Sequence, residues 1–223
     1  MDEELKEEGY NFIFHSPKFS PDGKTIAVNG AMYYYEERES GIFLYDLQAR
    51  DGFKLIFAED SNNLDWAPDG EWIVFSSGAD IYKIRRDGSE KTLIWNGSRF
   101  GNNCWINGLN LSYDGKYIVI GLVQYENYKG KYSVLLLNSD GTGEPKVLVN
   151  SSHSGMYPHF DPMPSKVLYN IYAEYGEKSY IEQVNIDNCD YERVVEGYYP
   201  TTTLGCKYIY FERDGDIWEM RIY

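Results

Sequence analysis

Three side chains in similar sequence surroundings could do chemistry: Asp65 in LDWAPDG, and His159 with Asp161 in PHFDP. His159 and Asp161 stand two residues apart, and alternate residues of a β-strand point to the same side. A histidine and a carboxylate on one strand face could bind a metal ion or act as an acid and base pair. We therefore name Asp65, His159 and Asp161 as the candidate catalytic residues.

Other catalytic and cofactor motifs are absent from the sequence. It contains no Gly-x-Ser-x-Gly, no phosphate-binding loop and no His-Glu-x-x-His, and there are only 3 histidines in 223 residues. The Asp-Gly pairs lack the further oxygen ligands that calcium requires, so we interpret them as turns. We expect no cofactor and no metal.

A second candidate site is aromatic. Many of the 22 tyrosines fall between the apolar runs, in segments that we expect to be loops on one face of the molecule. Such side chains suit a protein epitope or a sugar ring, because they combine flat apolar faces with hydrogen-bonding groups. The candidate ligand-binding residues are Tyr33, Tyr34, Tyr35, Arg99, Phe100, Trp105, Tyr125, Tyr128, Tyr157, Tyr198 and Tyr199.

A repeat must position these residues. An apolar or aromatic anchor, a turn and a run of β-formers recur at Phe19, Trp66, Leu111, Phe160 and Thr202, which are 47, 45, 49 and 42 residues apart. A repeat of this length with four short strands indicates a β-propeller blade. We predict an all-β, five-bladed β-propeller with four antiparallel strands per blade.

The repeat also predicts the blade boundaries within a single domain over residues 1–223. The fifth copy ends after its third strand, so we expect residues 9–14 to complete it and close the ring, which would remove an exposed strand edge. The predicted blades are 16–60, 61–104, 105–152, 153–197, and 198–223 plus 9–14.

The residue before each anchor is polar in all five copies, although its neighbours are mostly apolar. A water-filled axial channel would require polar side chains on the innermost strands. The predicted channel-lining residues are Lys18, Asp65, Asn110, His159 and Thr201.

Composition limits the partners. A formal net charge of −14 opposes binding to nucleic acid or to anionic membranes. No apolar run approaches the roughly 18 residues of a membrane helix, and 3 cysteines do not form a disulfide framework. We expect a monomer, cytoplasmic if Met1 is the native start and periplasmic or extracellular if a leader has been removed.

The copies PKFSPDGKTIAV with GIFLYDL, and LDWAPDGEWIVF with DIYKIRRDG, resemble the WD40-like repeats of TolB-type β-propellers. The resemblance implies the propeller only, because the additional N-terminal domain of TolB has no counterpart here. It also implies a range of roles, since related propellers are protein-binding platforms, accessory domains of peptidases or glycan-active enzymes. We expect a non-catalytic module that binds a protein or an oligosaccharide; the alternative is a glycan-active hydrolase or lyase.

Overall fold

The computed structural model describes residues 10–34, 37–101, 103–127, 129–161, 165–172, 178–202 and 207–221. These residues form nineteen β-strands and a short 3-10 helix over Ser98–Phe100. In these ranges there is no helix of the length and hydrophobicity needed to span a membrane. The strands build five antiparallel sheets, each in chain order, and the fold is a five-bladed β-propeller.

The chain divides into two compact units, residues 1–93 and 94–223, with the boundary inside the last strand of the second sheet. The first sheet comprises β1 (Tyr10–Phe19), β2 (Thr25–Tyr34), β3 (Glu37–Asp46) and β4 (Phe53–Phe57). The second sheet comprises β5 (Leu64–Trp66), β6 (Trp72–Ser77), β7 (Asp80–Arg85) and β8 (Thr92–Trp95).

The second unit holds three more sheets. The third comprises β9 (Cys104–Leu111), β10 (Tyr117–Glu126), β11 (Lys129–Asn138) and β12 (Lys146–Ser151). The fourth comprises β13 (Gly155–Phe160), β14 (Lys166–Ile171), β15 (Tyr180–Asn185) and β16 (Tyr191–Glu196). The fifth has three strands within the described residues: β17 (Tyr198–Thr201), β18 (Tyr208–Arg213) and β19 (Asp216–Arg221).

The Asp-Gly segments after the innermost strands are turns, as predicted. Asp22 Oδ1 accepts hydrogen bonds from the Ser20 hydroxyl at 2.6 Å and from the Lys24 N–H at 3.0 Å. Asp114 accepts equivalent bonds from Ser112 and Lys116. These carboxylates are therefore occupied by their own turns.

Apolar packing holds neighbouring sheets together within each unit. In the first unit, Trp66 and Phe75 of the second sheet pack with Ile42 of the first. In the second unit, Val134 and Leu136 of the third sheet pack with Tyr169 of the fourth. Consecutive residues in the middle of β6, β10 and β14 are buried, so these strands are covered on both faces.

The predicted closure by residues 9–14 is corrected. Gly9 lies outside the described residues, and the segment from Tyr10 onward continues β1 and pairs with β2, from Tyr10↔Tyr34 to Phe14↔Gly30. The Phe14 ring lies 4.4 Å from that of Phe53, centre to centre. Aromatic packing on the first sheet therefore fixes a segment whose sequence predicts only a strand and not its partner.

Several expected loops are also strands. Residues 31–34 and 37–40 extend β2 and β3, and the candidate binding residue Trp105 lies in β9. Tyr125 lies in β10, which pairs with β11 out to Glu126↔Lys129. Tyrosine is a good strand former, so these tyrosine-rich segments lengthen hairpins.

Candidate functional site

A backbone irregularity recurs three residues before the anchor in three of the inner strands. Ser16, Tyr157 and Tyr199 occupy this position with φ of 52°, 22° and 49°. The strand register shifts at each of them, which is the signature of a β-bulge. Left-handed backbone is costly for such residues, and bulges redirect side chains near functional sites.

In the fourth and fifth sheets this bulge brings together four tyrosines, the tyrosine cluster: Tyr157, Tyr172, Tyr198 and Tyr199. The rings of Tyr157 and Tyr199 meet edge to face at 5.3 Å and 73°. The centre of the Tyr172 ring lies 6.1 Å from that of Tyr157 and 5.7 Å from that of Tyr198. The Tyr172 hydroxyl donates a 2.9 Å hydrogen bond to the Tyr199 hydroxyl. The cluster is therefore built by packing and by a hydrogen bond.

The tyrosine cluster is half-buried at its base and open at its edge. Burial raises the pKa of Tyr157 and of Tyr172, and the Tyr199 hydroxyl raises the pKa of Tyr172 further. Tyr199 itself is 50% exposed. The raised pKa values of Tyr157 and Tyr172 keep both of these hydroxyls protonated at neutral pH.

A second aromatic group lies in the third sheet. Trp105 and Tyr125 stack at 5.4 Å with an angle of 11° between their planes, and both are exposed. The Tyr125 hydroxyl lies 3.0 Å from that of Tyr132, whose pKa burial and this contact raise to about 12. Phe100, five residues before Trp105 in the sequence, is also exposed. Arg99 next to it forms a 2.7 Å ion pair with Glu144.

The remaining predicted binding residues are dispersed. Tyr33 is half-buried in β2 opposite Arg38, and Tyr34 pairs with Glu37 at the end of the same hairpin. Tyr35 and Tyr128 lie outside the described residues. Of the predicted residues, the structure thus brings together Tyr157, Tyr198 and Tyr199 in one group and Trp105 and Tyr125 in another.

The polar residues before the anchors link neighbouring inner strands. Within the first unit, Lys18 Nζ lies 3.8 Å from Asp65 Oδ1. Within the second unit, Asn110 Oδ1 accepts a 2.8 Å hydrogen bond from the Phe160 N–H, and it is buried. His159 Nε2 lies 3.4 Å from the hydroxyl of Thr201, which is exposed. These side chains make contacts from blade to blade.

The candidate catalytic pair in the fourth sheet is engaged in structural contacts. Asp161 is completely buried, and its Oδ2 accepts a 2.6 Å hydrogen bond from Gln183. His159 Nδ1 lies 3.0 Å from the Phe160 carbonyl oxygen. Within the described ranges, no group of three or more His, Cys, Asp or Glu side chains could hold a metal ion.

Two residues of interest were not among the candidate site residues that we named from the sequence. Tyr172 follows β14 directly and enters the tyrosine cluster from there. Glu182 is charged but buried in β15. Aligning the repeats by strand register, rather than by anchor alone, would have found Glu182 because its counterparts are apolar or aromatic.

Comparisons with known proteins support the architecture. No protein-family model and no curated protein matches the chain. A TolB-type protein from Agrobacterium tumefaciens has a similar structure, with TM-score 0.72 and 17% identity over 95% of this chain and 78% of its own. TolB from Acinetobacter baumannii gives TM-score 0.61 and 22% identity over 85% of this chain, which spans 45% of that protein.

An oligogalacturonate lyase from Vibrio parahaemolyticus is also similar, with TM-score 0.55 and 12% identity over 95% of this chain and 77% of its own. At these identities the likeness establishes the fold alone. The chain therefore has a TolB-type β-propeller fold, which is compatible with binding or with catalysis.

Proposed function

We propose that this chain is a non-catalytic binding module that contacts a partner protein through the tyrosine cluster. The observation that carries the proposal is the backbone beneath the cluster. Met156, Tyr157 and Tyr199 are all in the left-handed region, with φ of 83°, 22° and 49°. Strain of this kind persists where surrounding structure holds it, and it concentrates at ligand contacts.

The chemistry of the cluster favours a protein surface. Its rings pack mostly edge to face, as Tyr157 and Tyr199 do, so that edges and hydroxyls rather than one open ring face point outward. Tyrosine is enriched among the residues that dominate binding energy at protein interfaces. The preformed Tyr172–Tyr199 hydrogen bond lowers the entropy cost of binding.

The enzyme alternative draws less support from the geometry. Asp161 is enclosed and hydrogen-bonded to Gln183, so it presents no carboxylate to a substrate. The Thr201 hydroxyl lies 3.4 Å from His159 Nε2, and a histidine with a hydroxyl at this distance is not by itself a catalytic arrangement.

A second candidate function, oligosaccharide binding, is favoured by the exposed pair Trp105 and Tyr125. The two rings stack nearly in parallel and both are exposed, so together they form a flat aromatic surface. Such faces suit a sugar ring, which the edge-to-face tyrosine cluster does not offer. We place this second candidate at the third sheet, separate from the tyrosine cluster.

A peptide library displayed on phage tests the leading proposal. Binders selected on the wild-type protein should lose about tenfold or more of their affinity for Tyr199→Ala, the order expected of a dominant interface residue. Tyr208→Ala, an exposed tyrosine outside the cluster, is the matched control and should bind as wild type.

Binders that tolerate Tyr199→Ala and Tyr157→Ala would refute the protein-binding proposal. An oligosaccharide array probed with wild type and Trp105→Ala tests the second candidate. Sugar binding lost on Trp105→Ala, with no peptide binders depending on Tyr199, would replace the first candidate by the second.

A further inference from the structure

The fourth sheet carries a buried glutamate where the other sheets carry apolar or aromatic side chains. Tyr169 on β14 stands nine residues after the anchor Phe160, and its register partner on β15 is Glu182. The counterparts of Glu182 by register are Phe43, Tyr82, Leu135 and Trp218. Glu182 is 7% exposed, and burying a carboxylate costs free energy that an apolar side chain would not. The sheet architecture does not demand this residue.

Glu182 is the centre of a row of three side chains across β14, β15 and β16. The Tyr169 hydroxyl donates a 2.8 Å hydrogen bond to Glu182 Oε2. Arg193 is the register partner of Glu182 on the other side, with its Nε 3.8 Å from Oε1. That distance is longer than a hydrogen bond, so Oε1 is only loosely neutralised.

The row faces a cleft between the third and fourth sheets, both in the second unit. The cleft has a volume of about 420 Å³, which lies within the range of small-molecule sites. Leu148 and Val149 of β12 line it from the third sheet, and Ile171, Tyr172, Tyr180 and Glu182 line it from the fourth.

The charges favour a cation in this cleft. Glu182 is its most deeply buried charged group, with a side chain 10% exposed, whereas the side chains of Lys178 and Arg193 are 67% and 58% exposed. Lys178 is already paired with Glu196 at 2.7 Å. Tyrosine rings add to the attraction because the face of an aromatic ring carries a negative electrostatic potential.

We propose that this cleft binds a small organic cation, a primary ammonium or guanidinium group on an apolar body, with Glu182 as its counter-ion. Arg193 occupies that position in the absence of ligand. Its guanidinium carbon lies 3.7 Å from the centre of the Tyr180 ring, so it makes the ring and carboxylate contacts that a ligand cation would make. This inference does not depend on the proposed protein partner.

If a ligand displaces Arg193, removing Arg193 should raise the affinity for that ligand. The side chain is largely exposed and holds Glu182 without a hydrogen bond, so it can swing into solvent when a ligand enters. A site in which the chain's own cation competes with the ligand should bind more tightly when that competitor is removed. An anion site built on Arg193 would show the opposite.

Calorimetric titration with 2-phenylethylamine tests this, with 2-phenylethanol and 3-phenylpropionate as neutral and anionic controls of similar shape. We expect the amine alone to bind the wild type, and Arg193→Ala to bind it several-fold more tightly. Glu182→Gln should weaken binding about tenfold or more, as loss of a charged hydrogen-bond partner does. Glu192→Gln removes an exposed carboxylate on β16 that does not line the cleft and should leave binding unchanged.

Three results would overturn the proposal. These are tighter binding of the alcohol or the propionate than of the amine, weaker amine binding by Arg193→Ala, and undiminished binding by Glu182→Gln. The second of these results includes a complete failure of Arg193→Ala to bind the amine. A melting curve for each variant shows that it is folded under the conditions of the titration.

Discussion

The second and fourth sheets use equivalent positions in opposite ways. In the second sheet, Phe75 and Tyr82 are register partners whose rings stack at 5.6 Å. In the fourth, the same two positions hold Tyr169 and Glu182, joined by a hydrogen bond and faced by Arg193. Both sheets form the same four-stranded meander. The architecture therefore needs only an apolar pair here, and the polar row in the fourth sheet requires another explanation.

The turns show the same contrast. Where the Asp-Gly motif is kept, in the first three copies, its carboxylates are bonded to their own turns. The fourth and fifth copies lose the motif and carry the bulged tyrosines Tyr157 and Tyr199 instead. Departures from the repeat thus coincide with the side chains to which we assign binding.

The largest expected effect on the free energy of unfolding is at the apolar pair Phe75 and Tyr82 of the second sheet. Phe75→Ala should lower the free energy of unfolding by about 3–5 kcal/mol, because Phe75 is completely buried and truncation leaves a cavity. Urea unfolding measures this. Phe19→Ala, at a 66% exposed anchor, should change the free energy by less than about 1 kcal/mol. A small loss for Phe75→Ala would mean that the apolar pair is not the core of the second sheet.

The next largest effect on the free energy of unfolding is at the polar pair Tyr169 and Glu182 of the fourth sheet. Tyr169→Phe should cost about 1–3 kcal/mol at neutral pH, because the buried carboxylate of Glu182 loses a hydrogen-bond donor. Tyr82→Phe is the matched change in the second sheet and should cost less than about 0.5 kcal/mol. Equal losses in the two sheets would remove the contrast between them.

Alkaline pH should separate the buried tyrosines from the rest. Burial raises the pKa of Tyr157, Tyr169 and Tyr172, and raises that of Tyr132 to about 12. These groups ionise later in the folded chain than in the unfolded chain, so their contribution to stability is complete below pH 10 and is lost as the pH rises above it. Absorbance titration of tyrosinate, with unfolding measured in parallel, should show late ionisation coupled to unfolding. A single titration near pH 10 in the folded protein would contradict this.

The smallest effect concerns the turns. Hydrogen bonds from Ser20, Ser89 and Ser112 lower the pKa of Asp22, Asp87 and Asp114 below 3.8. Their contribution is therefore present above the unfolded pKa and is lost as the pH falls through the lower folded values. Asp114→Asn should flatten the acid limb of the stability curve slightly, whereas Glu144→Gln, at an exposed ion pair, should not. Identical acid limbs for both variants would count against the turn bonds.

The repeat was enough to predict the fold. Regular anchor spacing and turn chemistry locate five sheets, since both are local features of the sequence. The partner of residues 10–14 could not be predicted, because any strand with Phe12 and Phe14 on it could pair with more than one sheet edge. Aromatic contacts with Phe43 and Phe53 decide it in favour of the first sheet.

The candidate sites were predictable only in part. Tyr157, Tyr198 and Tyr199 stand out by composition, but their convergence with Tyr172 depends on bulges that the sequence does not announce. Glu182 was overlooked for a different reason. A charged residue within a strand normally indicates a solvent-facing position, and only the register with Tyr169 reveals that it is buried.

The central claim is that the polar row is kept for binding and not for stability. The free energy of unfolding of the double variant Tyr169→Phe/Glu182→Leu tests it most directly, because that variant restores the apolar pair seen in the other sheets. We predict that it is at least as stable as the wild type and no longer binds 2-phenylethylamine. A double variant less stable than the wild type by more than about 1 kcal/mol would contradict the claim and make the row a structural element of the fold.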